Sequence, residues 1–262
     1  MARWAILVAL VVGASAGAVV LLGSSPEPER PASAAKAGSL AAPPRGALAI
    51  PKPEGLGDES DLTRWAPVRR RVVARATPST SGRAIARLSL RTPEGTSTPL
   101  PVLGRSKGSD GRLWLRVTLP VLPNGTQGWV PRRTVGGYEV VRHRLVVDRA
   151  KLRATLLHRG QEVFSAPVGI GEERWPTPRG EFLVRNRLER YESAEYGPLA
   201  FGTSARSEKL TDWPAGGYVG IHGTDRPDLL PGRVSHGCIR LRNPDILRLA
   251  RLMPVGTPVS IR

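Results

Sequence analysis

The chain has a single cysteine, Cys238, in 262 residues, so no intrachain disulfide can hold it together. At this length it can bury a core without such staples. Acidic residues are also scarce, 22 Asp and Glu against 39 Lys and Arg, which gives a formal net charge of +17. Any partner met by diffusion is therefore expected to be anionic, and nucleic acid, anionic lipid head groups and acidic wall polymers all qualify. Internal repeats are absent, and no glycine-rich loop precedes a helix in the manner of a phosphate cradle.

Long apolar runs are scarce too, with one exception at the amino terminus. From Trp4 to Gly23 the sequence carries no charge, follows Arg3, and is long enough to span a bilayer. It reads as a signal peptide or, given its length, an uncleaved membrane anchor over residues 1–23. The rest of the chain is then expected outside the inner membrane, on the periplasmic or cell-wall side, where nucleic acid is not an expected partner. Export would expose the chain to oxidising conditions, so a lone thiol there needs a reason.

Glycine and proline are plentiful, 29 and 25 residues, which argues for many turns and against an all-helical fold. Residues 24–61 are crowded with Pro, Ala and Gly without apolar periodicity and read as a linker. Over residues 62–136, short β-like runs alternate with turn signals: Val72 to Ala76, Ala84 to Leu88, Pro101 to Leu103, Leu113 to Thr118 and Gly128 to Val130. Gly108 to Gly111 and Pro123 to Gly125 have hairpin-turn chemistry. A small barrel fits this pattern. Its Leu113 to Val117 and Gly128 to Pro131 segments resemble a bacterial SH3-like domain, with Trp114 and Trp129 in its core.

Residues 138–262 read as a second β-rich domain, so the fold class is mainly β. Strands are expected near Arg144 to Val147, Ala154 to His158, Glu162 to Val168, Gly180 to Arg187, Tyr218 to His222 and Pro258 to Ile261. One helix is signalled by Asn243 as N-cap, Pro244 at its first turn, and Ile246, Leu249, Ala250 and Met253 at helical spacing.

The chemistry concentrates in two segments, Gly220-Ile221-His222-Gly223-Thr224 and Ser235-His236-Gly237-Cys238-Ile239-Arg240. A free thiol is mostly protonated at neutral pH, and an imidazole acting as base or as imidazolium partner raises its thiolate fraction. A loop marked by Pro227, Pro231 and Gly232 can bring His222 to Cys238. Gly223 and Gly237 permit close backbone approach, and the N–H groups of Gly237 and Cys238 are candidates to bind an oxyanion. Zinc is the competing chemistry for this cluster, since Asp225 and Asp228 could complete a ligand set.

These two segments, at this spacing, closely resemble the signature of the L,D-transpeptidase (YkuD-like) catalytic domain. Pro176-Thr177-Pro178-Arg179-Gly180-Glu181-Phe182 resembles the family's upstream strand, and Tyr196-Gly197-Pro198-Leu199 its substrate-side segment. The resemblance covers about half the chain and implies a β-sandwich-like catalytic domain with one or more short helices. It implies Cys238 as nucleophile, His222 as base, the Gly223 carbonyl as the group that orients the imidazole, and His236 and Gly237 as shapers of the oxyanion site. It places Tyr196, Ser235 and Arg240 at the substrate, Arg240 at a substrate carboxylate in a position that other relatives give to Asn. It further implies peptidoglycan stem peptides as substrate, and neither metal nor organic cofactor. A non-catalytic wall-binding protein that keeps the fold is the alternative function.

Overall fold

The computed structural model describes residues 54–55, 62–189, 193–210 and 217–262. The apolar run at residues 4–23 and nearly all of the expected linker lie outside these. Every described residue falls in one compact unit.

Two sheets account for the strands. The first contains β1 (Glu54–Gly55), β2 (Thr63–Pro67), β3 (Val72–Arg75), β4 (Ala84–Leu88), β5 (Pro99–Lys107), β6 (Leu113–Thr118), β7 (Gln127–Pro131) and β8 (Glu139–Val141). Their order is β4-β3-β7-β6-β5-β2-β8, with β1 on β5. The turn at Gly108 closes with Gly111 N–H on the Gly108 carbonyl, and the turn at Pro123 with Thr126 N–H on the Pro123 carbonyl. Gly111 and Gly125 sit at φ +73° and +81°, the conformation for which the sequence supplied glycine. Trp114 and Trp129 are buried, as expected of core residues.

Two boundaries differ from the sequence reading. Glu54 and Gly55, inside the expected linker, pair with Arg105 and Gly104 of β5. Glu139 to Val141, assigned to the second domain, instead pair with Trp65, Arg64 and Thr63 of β2. Neither segment carries enough alternation to reveal its partner.

The second sheet contains β9 (His143–Asp148), β10 (Arg153–His158), β11 (Gln161–Pro167), β12 (Gly169–Gly171), β13 (Gly180–Glu189), β14 (Leu199–Arg206), β15 (Tyr218–His222), β16 (Gly232–Ser235), β17 (Ile239–Arg240) and β18 (Pro258–Ile261). Its order is β11-β10-β9-β18-β13-β14-β15-β17-β12-β16. The one α-helix among the described residues, α1 (Asn243–Leu252), buries Ile246, Leu249 and Ala250 into the core that this sheet encloses. Met253 joins the same cluster just past its end. The fold is thus mainly β with a single helix, and each sheet has its own apolar cluster.

Asn243 does not cap this helix. The N-cap is Arg242, with no side-chain cap bond, and the Asn243 amide oxygen instead accepts the Thr224 N–H at 2.9 Å. Backbone at Gly223 and Gly197 crowds that oxygen, so a Cβ at either glycine would collide with it. A residue that looked like a helix signal is therefore the clamp of the loop that follows His222.

Candidate active site

The site follows from strand periodicity. Along β15, Val219 and Ile221 point into the core, so Tyr218, Gly220 and His222 point the other way. Ile239 and Leu241 are core residues in turn, which sends Cys238 and Arg240 to that same face. Strands β15 and β17 run parallel with Ile221 opposite Ile239 and His222 opposite Arg240. Two residues back along this register, Gly220 meets Cys238, and its N–H donates to Cys238 Sγ at 3.3 Å. A methyl group on Gly220 would lie 3.7 Å from His222 Cδ2 and 3.8 Å from Sγ, so the missing side chain leaves imidazole and thiol flanking one small space.

That space opens into a cleft whose lining includes Glu195, Tyr196, Tyr218, His222, His236, Cys238 and Arg240. His222 is 2% exposed, and its Nδ1 lies 2.6 Å from the Gly223 carbonyl oxygen. Since a carbonyl can only accept, Nδ1 carries the proton and Nε2 keeps a lone pair, the tautomer a general base requires. The Tyr196 ring rests against the imidazole with centroids 4.7 Å apart. Burial lowers the His222 pKa from 6.5 to about 4, against the pull of the Gly223 carbonyl and with a further push from Arg240. Burial raises the Cys238 thiol above its ordinary value of 9.0, a push that the Gly220 N–H and Arg240 oppose and Glu195 reinforces. The resting pair is a thiol beside a neutral imidazole rather than an ion pair, and proton transfer must accompany nucleophilic attack.

The turn that presents Cys238 is held from beneath. Ser235, expected at the substrate, is fully buried: its hydroxyl donates to the Cys238 carbonyl at 2.6 Å and accepts the Gly237 N–H at 3.1 Å. It shapes the turn and has no surface to offer a ligand. The same bond commits the Gly237 N–H, so of the two amides expected at an oxyanion only that of Cys238 lacks an acceptor among the described residues. Gly237 itself sits at φ +113°, which aims the following peptide. Thr177, given no role by the sequence, is buried with its hydroxyl donating to the Gly237 carbonyl at 2.8 Å and accepting the Gly171 N–H at 2.9 Å. Its place in the Pro-Thr-Pro segment was the available signal.

His236 is exposed at the rim, its ring against Trp175 at 4.0 Å. Arg174 covers Trp175 at 3.6 Å. Arg240 reaches Glu195 at 3.1 Å and the Val234 carbonyl at 3.4 Å, while its Nε is buried without a partner. Glu195 carried no signal, because its role depends on a segment that folds back over the cleft. Asp228 pairs with Arg226, and no group of three His, Cys, Asp or Glu able to hold a metal occurs among the described residues.

The family model for the L,D-transpeptidase catalytic domain (YkuD) matches residues 142–261. A Bacillus licheniformis protein that bears the name L,D-transpeptidase YkuD is 33% identical over 123 residues, 47% of this chain and 67% of that protein. The Escherichia coli protein named L,D-transpeptidase YbiS is 30% identical over 196 residues, 64% of this chain and 61% of that one. The solved catalytic domain of the Enterococcus faecium L,D-transpeptidase is 25% identical, covering 45% of this chain and 95% of that chain at a TM-score of 0.34. The chain spans from about half to two thirds of the length of the first relatives it matches. With residues 142–261 matched and a relative 33% identical over two thirds of its own length, the chain belongs to the L,D-transpeptidase (YkuD-like) family of enzymes.

Proposed function

We propose that this chain is a peptidoglycan L,D-transpeptidase that works through a thioester at Cys238. The observation that carries the reading is the meeting of His222 and Cys238 on one face of β15 and β17, over the space that Gly220 leaves open. As the donor stem binds, His222 Nε2 takes the thiol proton while Sγ attacks the carbonyl of the stem's third residue, meso-diaminopimelate or similar. The Cys238 N–H faces the oxygen that gains charge. The tetrahedral adduct then breaks its C–N bond, and the imidazolium returns its proton to the departing amine of D-Ala.

The acyl group next passes to an amine on a second stem, which forms a 3-3 cross-link; passes to an attached protein; or passes to water, which amounts to L,D-carboxypeptidase trimming. In each case the acceptor gives its proton to His222, the C–S bond breaks, and the thiol is restored. Arg240, whose guanidinium lines the cleft and meets Glu195 there, supplies a cation for a substrate carboxylate. Tyr196 packs a wall beside the base. The first sheet we assign as an SH3-like domain that contacts wall polymers, and the run Trp4 to Gly23 as the export signal or inner-membrane anchor.

The test uses purified disaccharide-tetrapeptide. Cys238→Ala and His222→Ala are expected to lower turnover at least ~1,000-fold, with both variants still folding cooperatively. Ser235→Ala, which removes a turn bond rather than a reacting group, should be milder. Equal turnover by wild type and Cys238→Ala would end the enzyme reading and leave a wall-binding protein that keeps the fold.

A further inference from the structure

The connection between β4 and β5 is shaped to deliver a carboxylate. Thr92-Pro93-Glu94-Gly95 forms a β-turn with Gly95 N–H on the Thr92 carbonyl at 2.9 Å, Pro93 at its second position and Gly95 at φ +81°. The Thr92 and Thr96 hydroxyls bond each other beneath it at 2.8 Å. Glu94 stands at the tip, its side chain 19% exposed, and it does not serve its own sheet. One carboxylate oxygen meets Arg185 Nη2 at 2.8 Å and the other meets the Asn186 amide nitrogen at 3.0 Å. Both partners lie on β13 of the second sheet.

Arg185 and Asn186 are consecutive residues, and both are buried. The β13–β14 register shifts between Val184 and Asn186, a bulge that re-aims a side chain without breaking the sheet. Asn186 uses its other end to accept the Gly202 N–H of β14 at 3.0 Å. Arg185 donates its Nε–H to the Thr203 carbonyl at 2.8 Å and lays its guanidinium 3.7 Å over the Tyr218 ring. The Tyr218 hydroxyl in turn donates to the Pro120 carbonyl in the first sheet's β6–β7 turn at 3.2 Å. In the same turn, Asn124 exchanges two bonds with the Arg206 backbone of β14.

Tyr218 lines the cleft two residues before Gly220, whose N–H touches the reactive sulfur. Arg185 is 2% exposed, and a buried guanidinium is tolerable only with a paired carboxylate and filled hydrogen bonds. The first sheet alone supplies that carboxylate among the described residues. Burial pushes the Glu94 carboxyl up, but Arg185, the Glu94 backbone, Thr92 and Asn186 together bring it below its ordinary value, so it is ionised throughout the working range. The contact is a seated charge pair within a filled network, not a surface brush between neighbours.

We propose that Glu94 is a positioning residue for the donor site: by neutralising and orienting Arg185 against Tyr218, it sets the cleft wall beside Cys238 from the other sheet. The first sheet then has a role in substrate fit, separate from any contact with wall polymer. The inference rests on the reading of the cleft as the donor-peptide site, and it predicts a binding defect rather than a chemical one. The reacting groups are untouched, while the wall that shapes the stem is loosened.

The experiment compares full-length wild type, Glu94→Gln, Glu94→Ala, Tyr218→Ala and the Glu94→Ala/Tyr218→Ala double variant on disaccharide-tetrapeptide. Glu94→Ala is expected to raise KM about tenfold with kcat within about threefold, and Glu94→Gln, which can still bond Asn186, to fall between it and wild type. The double variant should be no worse than Tyr218→Ala alone, because the two act in series. Penalties that multiply, or a fall in kcat at unchanged KM, overturn the proposal. Hydrogen exchange over residues 218–222 provides a reading that needs no substrate. Exchange faster in Glu94→Ala than in wild type supports positioning even if wild type fails to turn over the peptide, a failure that would count against the donor-site reading alone. Unchanged exchange in Glu94→Ala overturns the positioning role whatever the activity.

Discussion

Burial acts on His222 and Cys238 in opposite chemical senses yet toward one end. It strips the imidazole of its affinity for a proton and leaves the thiol holding one, so neither group is charged until a substrate arrives. The stability consequence has a definite sign. With the folded His222 pKa at about 4 and its ordinary value at 6.5, the unfolded chain takes up the proton first, and the stability of the fold falls as pH drops through that window. Denaturant unfolding at pH 7 and pH 4.5 should show wild type losing about 2 to 3 kcal/mol more than His222→Gln. A difference below about 0.5 kcal/mol would mean that the imidazole is not sealed as described.

At this scale the sequence disclosed the reacting atoms well. His222, Cys238 and Arg240 were legible from the two motifs and Tyr196 from the separate segment that resembles the family, and all four line one cleft. Ser235 was not, because a small hydroxyl beside the nucleophile looks like a ligand contact until the turn shows where it points. The Gly237 amide failed for the same reason: which donor is free depends on who accepts next door.

Elements carry the geometry between those residues. The strands read from β-like runs between turn signals were found, with Ala84–Leu88, Tyr218–His222 and Pro258–Ile261 matched end to end. Strand β14 was missed. Leu199 to Thr203 are buried without a break, and Gly202 and Thr203 interrupt the apolar run, so alternation never appears. The very short strands β12, β16 and β17 were also not read from the sequence, since Gly169–Gly171, Gly232–Ser235 and Ile239–Arg240 carry too little β-branched or alternating pattern to stand out from their loops.

The Thr177 hydroxyl bridges two such pieces, linking β12 to the turn before Cys238. Thr177→Val keeps the shape and removes that bridge, leaving a buried N–H and C=O without partners at a cost of about 1–3 kcal/mol. Thermal or denaturant unfolding should detect the loss, accompanied by a lower kcat because the Gly237–Cys238 peptide is no longer held. Stability and turnover equal to wild type would show that the turn is fixed by other means.

At the scale of the whole molecule, two apolar clusters are joined by polar hairpin contacts rather than by a third core. Sequence patterning marks clusters and misses such contacts, because a hairpin tip such as Glu94 looks like any solvated turn until its partner strand is placed. The formal charge of +17 is a property of the same scale. On the proposed contact with anionic wall polymer, that charge predicts an attraction that salt weakens, since the Debye length shrinks from about 10 Å at 0.1 M to about 3 Å at 1 M. Pelleting with isolated sacculi should therefore retain the protein at low salt and release most of it at high salt. Retention that ignores salt would point to recognition by shape instead.

The central claim, a thioester formed at Cys238 with His222 as base, is tested most directly by intact-protein and peptide mass spectrometry after brief mixing with a stem tetrapeptide. The account predicts an adduct of the donor peptide less its terminal D-Ala, mapped to the peptide that contains Cys238 and absent from Cys238→Ala. Release of D-Ala by Cys238→Ala, or an adduct on any other residue, would contradict it.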